Sequence, residues 1–242
     1  MTAATTMVPL QVTARLASGV AHATPWGISL DGLLASEIRE NYKTECREHG
    51  IDYQPYDLAT APAMLELPLA RCTLAGPDDW HWAATFAWPD GEVPGPHVHY
   101  WSSRPDHHAL DQLSEALPAL VSERQGRYRA RVMPLPLTIA STLVWRAVGD
   151  PDAISELLAD VQTIGRKRSS GHGHILDWTV EPTDEDPWAS SHLHPDGTLG
   201  RTAHPQCLRG HQSIETGGEG QMGLRPPYMH PATRREVLLP AR

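Results

Sequence analysis

Thr163-Ile164-Gly165-Arg166-Lys167-Arg168-Ser169-Ser170-Gly171-His172-Gly173-His174-Ile175-Leu176-Asp177-Trp178-Thr179-Val180-Glu181 is the stretch around which the chain is best read. It begins at a helix exit and ends in an alternating strand. Between them stand three consecutive cations framed by Gly165, Gly171 and Gly173. Glycine takes positive φ freely and admits another backbone where a Cβ would clash. Successive N–H groups in such a loop form a concave anion site. A P-loop needs a strand before it, a helix after it, and Lys-Ser/Thr following the second glycine, and here the order is helix, loop, strand. The dinucleotide pattern Gly-x-Gly-x-x-Gly is absent too. Two of the three cations are arginine, which grips phosphate in a bidentate way and stacks on bases. Nucleic acid is the leading partner, and an ordinary solvated basic turn is the plain alternative.

Outward from that loop, the 242 residues suffice for one large domain, or one and a half, with a real core. An apolar share of 40% with 20% charge fits a globular chain, and no run approaches the ~20 apolar residues of a membrane span. Three widely spaced cysteines, Cys46, Cys72 and Cys207, argue for a reducing, cytoplasmic setting rather than a disulfide framework. The net charge of −9 argues against strong binding of RNA by the lone chain, and suits a focused contact inside a larger assembly.

Residues 10–16 alternate as a half-buried strand, and Ser29 or Asp31 can cap a helix carrying Leu30, Leu33, Leu34 and Ile38. Residues 65–74, 80–88 and 97–101 read as strands, and 111–121 as a short helix. Residues 128–133 alternate, with Arg127, Arg129 and Arg131 on one face. Residues 138–148 are apolar and β-branched enough for a central strand. Pro151 opens a helix to residue 162 with Ile154, Leu157, Leu158 and Val161 as its stripe, and residues 174–181 form the last strand. The order β-α-insertion-β-β-α-loop-β predicts an α+β, ferredoxin-like βαββαβ plan. Residues 182–242 shift to Pro, Gly, His and Ser, predicting a mainly irregular extension.

The spacing Ile164-Gly165, five residues, Gly171-His172-Gly173 resembles the glycine-rich loop of the RAMP superfamily, the RNA-binding proteins of CRISPR systems. Thr163 stands where that family has its first glycine, and His172 at its second apolar position. Residues 9–34, with Leu30-Asp31-Gly32-Leu33-Leu34, and residues 126–181, with Tyr128-Arg129-Ala130-Arg131 and Ala147-Val148-Gly149-Asp150, resemble the same family. Together they are most similar to the small subunit of type IV effectors that holds the 5′ repeat-derived end of the guide RNA. The resemblance implies a RAMP domain over residues 1–181, with 44–125 as a β-rich thumb-like insertion, and a separate extension over 182–242. It also implies a guide RNA, a filament-forming RAMP subunit, a large effector subunit, target DNA and a DinG-type helicase as partners.

The expected RNA contacts are Gly165, Arg166, Lys167, Arg168, Ser169, Ser170, Gly171, His172 and Gly173, with Arg127, Arg129 and Arg131 as a second cationic group. Trp26, Tyr100 and Trp101 lie in loops or the insertion and are candidates for stacking on bases, while Trp145 and Trp178 sit in strands as core. Two sharper readings compete. A processing RAMP ribonuclease would use a histidine as metal-free general acid or base, and the resemblance puts His22 in that place. A small-molecule phosphate-binding protein is the more distant rival. Fourteen histidines also raise zinc, through His97-x-His99, His107-His108, His192-x-His194 and His204-x-x-Cys207. Structural zinc favours closely paired Cys/His motifs, which three scattered cysteines do not supply, so no metal and no cofactor is expected.

Overall fold

Leu10, Val12, Ala14 and Leu16 alternate with more exposed neighbours, so the first strand has one apolar side, and the helices pack there. The computed structural model describes residues 6–22, 24, 26–55, 57–95, 97–104, 106–116, 124–125, 129–211 and 213–241. In chain order it holds β1 (Val8–Leu16), β2 (Val20–Ala21) and α1 (Leu30–Glu48), then the short pieces β3 (Arg71–Cys72), β4 (His81–Trp82) and β5 (Trp88–Pro89). There follow β6 (His97–Ser103), α2 (His107–Gln112), β7 (Arg131–Thr138), β8 (Thr142–Gly149), α3 (Pro151–Leu158) and β9 (Ile175–Pro182). The last part holds α4 (Pro187–His192) and the hairpin of β10 (Glu219–Gly223) with β11 (Arg234–Leu238). No helix among the described residues is long and apolar enough to cross a membrane.

The main sheet is antiparallel in the order β5-β8-β1-β9. Val12 lies between Trp145 of β8 and Val180 of β9. Ser29 caps α1, its Oγ accepting from the Gly32 N–H, and Asp150 caps α3, whose first residue is proline. These caps aim Leu30, Leu34, Ile154 and Leu158 at Leu10, Val12 and Trp145, all of them essentially inaccessible to water. Each such aliphatic side chain contributes about 1.5–3 kcal/mol of transfer free energy.

β8 is buried on both faces, as its near-continuous apolar run requires. Its far face is covered by the last sixty residues. Arg146 projects there, donating to Glu185 and to the His194 carbonyl (3.1 Å), while α4 packs across the strand. Residues 183–241 therefore do more than wrap. They build a second small core of Leu199, Ala203, Cys207 and Leu208 with Trp188 and Leu238. Irregular spacing of these apolar residues along the chain hides that core from any periodicity.

Several elements differ from expectation. The strand beside β8 comes from residues 83–89, pinned by the Ala84–Ala147 bridge and the Trp88–Val144 pair. It does not come from residues 128–133. Instead β7 joins β2 and β6 in a separate three-stranded sheet, because its Pro134 and Pro136 each lack a ladder donor and suit a small, exposed sheet. Residues 138–148 are split by a turn at 139–141. The strand expected over 65–74 shortens to β3, the helix over 111–121 is replaced by α2 a few residues earlier, with 117–121 outside the described residues, and α3 ends four residues early.

One side chain gathers the pieces. Arg201, fully buried, donates to the carbonyls of Trp82, Ala84 (2.6 Å), Leu224 (2.8 Å) and Thr202 (3.0 Å), and lies 3.9 Å from the buried Asp31 carboxylate. Tyr228 donates its hydroxyl to Asp31 at 2.8 Å. Burial pushes the Asp31 carboxyl up from its usual range, against the pull of Arg201. Arg201→Met keeps the bulk but removes a donor from each of these carbonyls and the positive charge facing the buried Asp31, so thermal or denaturant unfolding should report a loss of about 3–5 kcal/mol. A loss under ~1 kcal/mol would show that the guanidinium is dispensable.

Candidate nucleic-acid interface

The cationic loop is held at both ends before it is free to present anything. The Ile164 side chain is buried, and its N–H donates to the Gly173 carbonyl at 2.9 Å, closing the loop's neck beside the Thr163–His174 bridge. The Gly173 N–H donates to Gly19 (3.0 Å), and the Arg166 N–H to Ala21 (2.7 Å), so the neck is stitched to the turn between β1 and β2. The approach is close enough to demand glycine. A Cβ on Gly165 would lie 2.4 Å from the Ala21 oxygen, and one on Gly173 would lie 1.9 Å from the Ile164 oxygen. Gly171 is different: its φ of +83° calls for glycine, but the space around it is open. Ser18 donates its hydroxyl to the Gly171 carbonyl at 2.8 Å and steadies the outer arm.

Between these anchors the chain turns through Lys167, at φ 58°, into a single 3-10 turn over Arg168–Ser170. Arg166, Arg168, Ser169 and Ser170 are exposed. Lys167 is half-buried because its Nζ sits over the Trp101 ring, 3.2 Å from the centroid, a cation–π contact. His172 meets His99 across a 2.9 Å hydrogen bond. Arg168 is within electrostatic reach of α1, where burial, Asp160 and Glu40 push the Glu37 carboxyl up and Arg168 opposes them.

The β6–β7 pair supplies the other wall. Directly opposed residues share a face, so Trp101, His99, Ser103 and its partner Arg131 lie on the side that meets the loop. Tyr100, two-thirds exposed, projects from the opposite side with Val132 and Val98. The expected group of three arginines is not a strand face. Arg129 precedes β7, Arg131 is its first residue, and Arg127 lies outside the described residues. Of the aromatic candidates, Trp101 alone is placed beside the cations.

His22 and Trp26 line an apolar cavity of about 260 Å³ with Val20, Ala87, Trp88 and Leu143. The His22 Nδ1 lies 2.5 Å from the Thr24 carbonyl, which can only accept, so Nδ1 carries the proton. Its Nε2, 2.6 Å from Thr138 Oγ1, then accepts from that hydroxyl. Both ring nitrogens are engaged. Elsewhere among the described residues, Cys72, His81, His192 and Cys207, side chains of types able to ligate a metal, converge near the Gly149 end of β8, away from this loop.

The model of the family described as CRISPR type IV associated protein Csf3 matches residues 8–240. The chain belongs to the Csf3 family. The match spans nearly all of the chain, whereas the resemblance legible in the sequence covered only residues 9–34 and 126–181. Csf3 is the Cas5-like RAMP subunit of type IV CRISPR systems, so a role as an effector subunit with partner subunits follows for this chain. A search of curated proteins found no match.

What sequence reading missed in this Csf3 chain is the loop's scaffold. Ser18-Gly19 carries no motif, His99 stands out only as half of the His97-x-His99 pair, and only the fold brings them to residues 163–174. The difference between the glycines is testable by thermal unfolding. Gly171→Ala should cost about 1–2 kcal/mol from its left-handed backbone alone. Gly173→Ala must also displace the Ile164 carbonyl and should cost visibly more. Equal losses would mean that the neck is looser than its geometry implies.

Proposed function

We propose that this chain holds the 5′ repeat-derived handle of a CRISPR guide RNA on its glycine-framed loop and caps one end of a type IV effector ribonucleoprotein. The observation that carries this reading is the presentation of Arg166, Lys167 and Arg168 on a loop whose neck is fixed by backbone hydrogen bonds, beside Trp101 and on the Arg131 side of β6–β7. Cations beside an aromatic face are what single-stranded RNA needs: phosphate contacts along the backbone and a surface for an unpaired base. Pre-ordering also lowers the entropy lost on binding. Lys167 would leave or share the Trp101 ring as a base arrives.

The strand order supports the finer fold reading. Taken as first, second, third and fourth strands, β1, β5, β8 and β9 stand in the order 2-3-1-4 with α1 and α3 sharing a core over one face, the ferredoxin-like plan of a RAMP domain. Residues 44–87 and 90–130 then flank a very short second strand, and the β2-β7-β6 sheet takes the place of a thumb against guide or neighbour. The net charge of −9 favours work inside an assembly, where a filament-forming subunit and a large subunit neutralise the remaining phosphates. Target DNA would be read by guide pairing, and a DinG-type helicase would act downstream. A binding role fits His22 better than cleavage, since both its ring nitrogens are committed to Thr24 and Thr138.

Co-expression with the neighbouring subunits and a repeat-spacer array, followed by purification through this chain, tests the proposal by sequencing the RNA recovered. Discrete guides sharing one 5′ end are expected. Changing Arg166, Lys167 and Arg168 together to alanine should remove them from this subunit and flatten the salt dependence by about 0.7 in log–log slope per lost phosphate contact. Random fragments, or guides unaffected by the triple change, would overturn it.

A further inference from the structure

The second core contains a group of side chains that ordinary packing does not account for. Cys72 and His81 are directly opposed partners in the β3–β4 ladder. His192 ends α4, and Cys207 lies in the 3-10 turn of Pro205–Leu208. Their Sγ and ring nitrogen atoms all lie within 4.8 Å of one another. Cys72 Sγ is 3.6 Å from His192 Nε2 and 4.0 Å from Cys207 Sγ. His81, His192 and Cys207 are buried and Cys72 is half-buried.

The tautomers sharpen the point. His81 Nδ1 lies 2.9 Å from the Trp82 carbonyl, and His192 Nδ1 lies 2.8 Å from the Trp188 carbonyl. A carbonyl can only accept, so each Nδ1 is the N–H, and each Nε2 turns an unprotonated lone pair inward, that of His192 toward the Cys72 thiol. The His81 Nε2 is fully buried with no hydrogen-bond partner among the described residues. An orphaned acceptor of that kind is costly. The supporting groups are those that hold metal ligands in place. Arg201 donates to the same Trp82 carbonyl that fixes His81, while Trp188 stacks on His192 and donates its indole N–H to the Cys207 carbonyl at 3.1 Å.

We propose that Cys72, His81, His192 and Cys207 form a closed, structural zinc site that fastens the β3–β4 ladder to the C-terminal segment. Tetrahedral zinc with sulfur at about 2.3 Å and nitrogen at about 2.0–2.1 Å separates its ligands by roughly 3.3–3.8 Å. The Cys72 Sγ separations of 3.6 Å to His192 Nε2 and 4.0 Å to Cys207 Sγ come within a few tenths of an ångström of that range. Two thiolates and two imidazoles suit zinc by softness and geometry, and together they neutralise the ion, so the site adds no net charge beside Arg201. Four protein ligands leave no open position for catalysis. The spacing Cys72-x8-His81 and His192-x14-Cys207 has no compact motif, which is why the cysteines look scattered in the sequence. Of the pairs that the sequence offered, His192 and Cys207 belong to the cluster. Their neighbours do not: His194 lines the apolar cavity, and His204 caps the 3-10 turn.

The test uses the full chain made without a polyhistidine tag and never exposed to nickel or chelating resin. Plasma mass spectrometry should find a single zinc per chain. After chelation under reducing conditions, Co²⁺ should return one ion per chain with the visible bands of a tetrahedral site and thiolate-to-cobalt charge transfer in the near ultraviolet. His81→Ala, and Cys72→Ser with Cys207→Ser, should lower bound zinc by about tenfold or more and bring the melting temperature to that of the chelated wild type. Wild-type protein without the tetrahedral cobalt spectrum overturns the site, and so does a Cys72–Cys207 disulfide in protein from a freshly opened cell. The spectrum is read on the wild type and therefore decides even where a variant fails to fold.

Discussion

The buried guanidinium of Arg201 is the constraint on which the architecture turns. Residues 82–84 run along β8 with little regular ladder of their own, and the Trp82 and Ala84 carbonyls take a donor from outside the sheet. Arg201 supplies that donor from the C-terminal segment and meets Asp31 at the start of α1. A single side chain thus joins the sheet edge, the first helix and the last sixty residues. A buried arginine is tolerated because most of its N–H groups are directed at carbonyls and its charge is opposed by a carboxylate. The C-terminal segment is consequently part of the domain's packing, covering the far face of β8 that the helices leave open.

That arrangement leaves the opposite end of the sheet to the cationic loop. The cationic loop emerges where β1 ends and β9 begins, and its neck is tied to backbone from residues 17–21. The protein fixes the loop by glycines at points of contact, and leaves the cations themselves outside the hydrogen-bond scaffold. On the proposed reading, such a division lets the side chains adapt to phosphate while the backbone stays put. On the proposed reading, the acidic balance of the whole chain would select against stray polyanions and leave the cationic loop to act within a complex.

Periodicity made β1, α1, β8, α3 and β9 legible, because each buries one apolar face or stripe against the same core. The cationic loop was legible from its glycines, and the family resemblance from the loop together with residues 9–34. What escaped was non-local. A strand over 80–88 is legible, but its place beside β8 is not, because Arg201 and β8 hold it there rather than its own pattern. β7 alternates well, yet its two prolines and its register with β6 carry it into a different sheet, taking Arg131 away from any row of arginines. The Trp101–Lys167 and His99–His172 pairs join residues more than sixty positions apart. The Cys/His cluster draws on four segments, so no window of sequence contains it.

The most direct test of the central claim is photocrosslinking of the assembled guide-bearing complex, with mass-spectrometric mapping of the nucleotide-modified peptides of this chain. RNA held on the loop predicts adducts on residues 163–174 and on Trp101, carrying nucleotides from the 5′ end of the guide. Adducts confined to the Tyr100 and Val132 side of the β6–β7 pair, with none on the loop, would contradict the account.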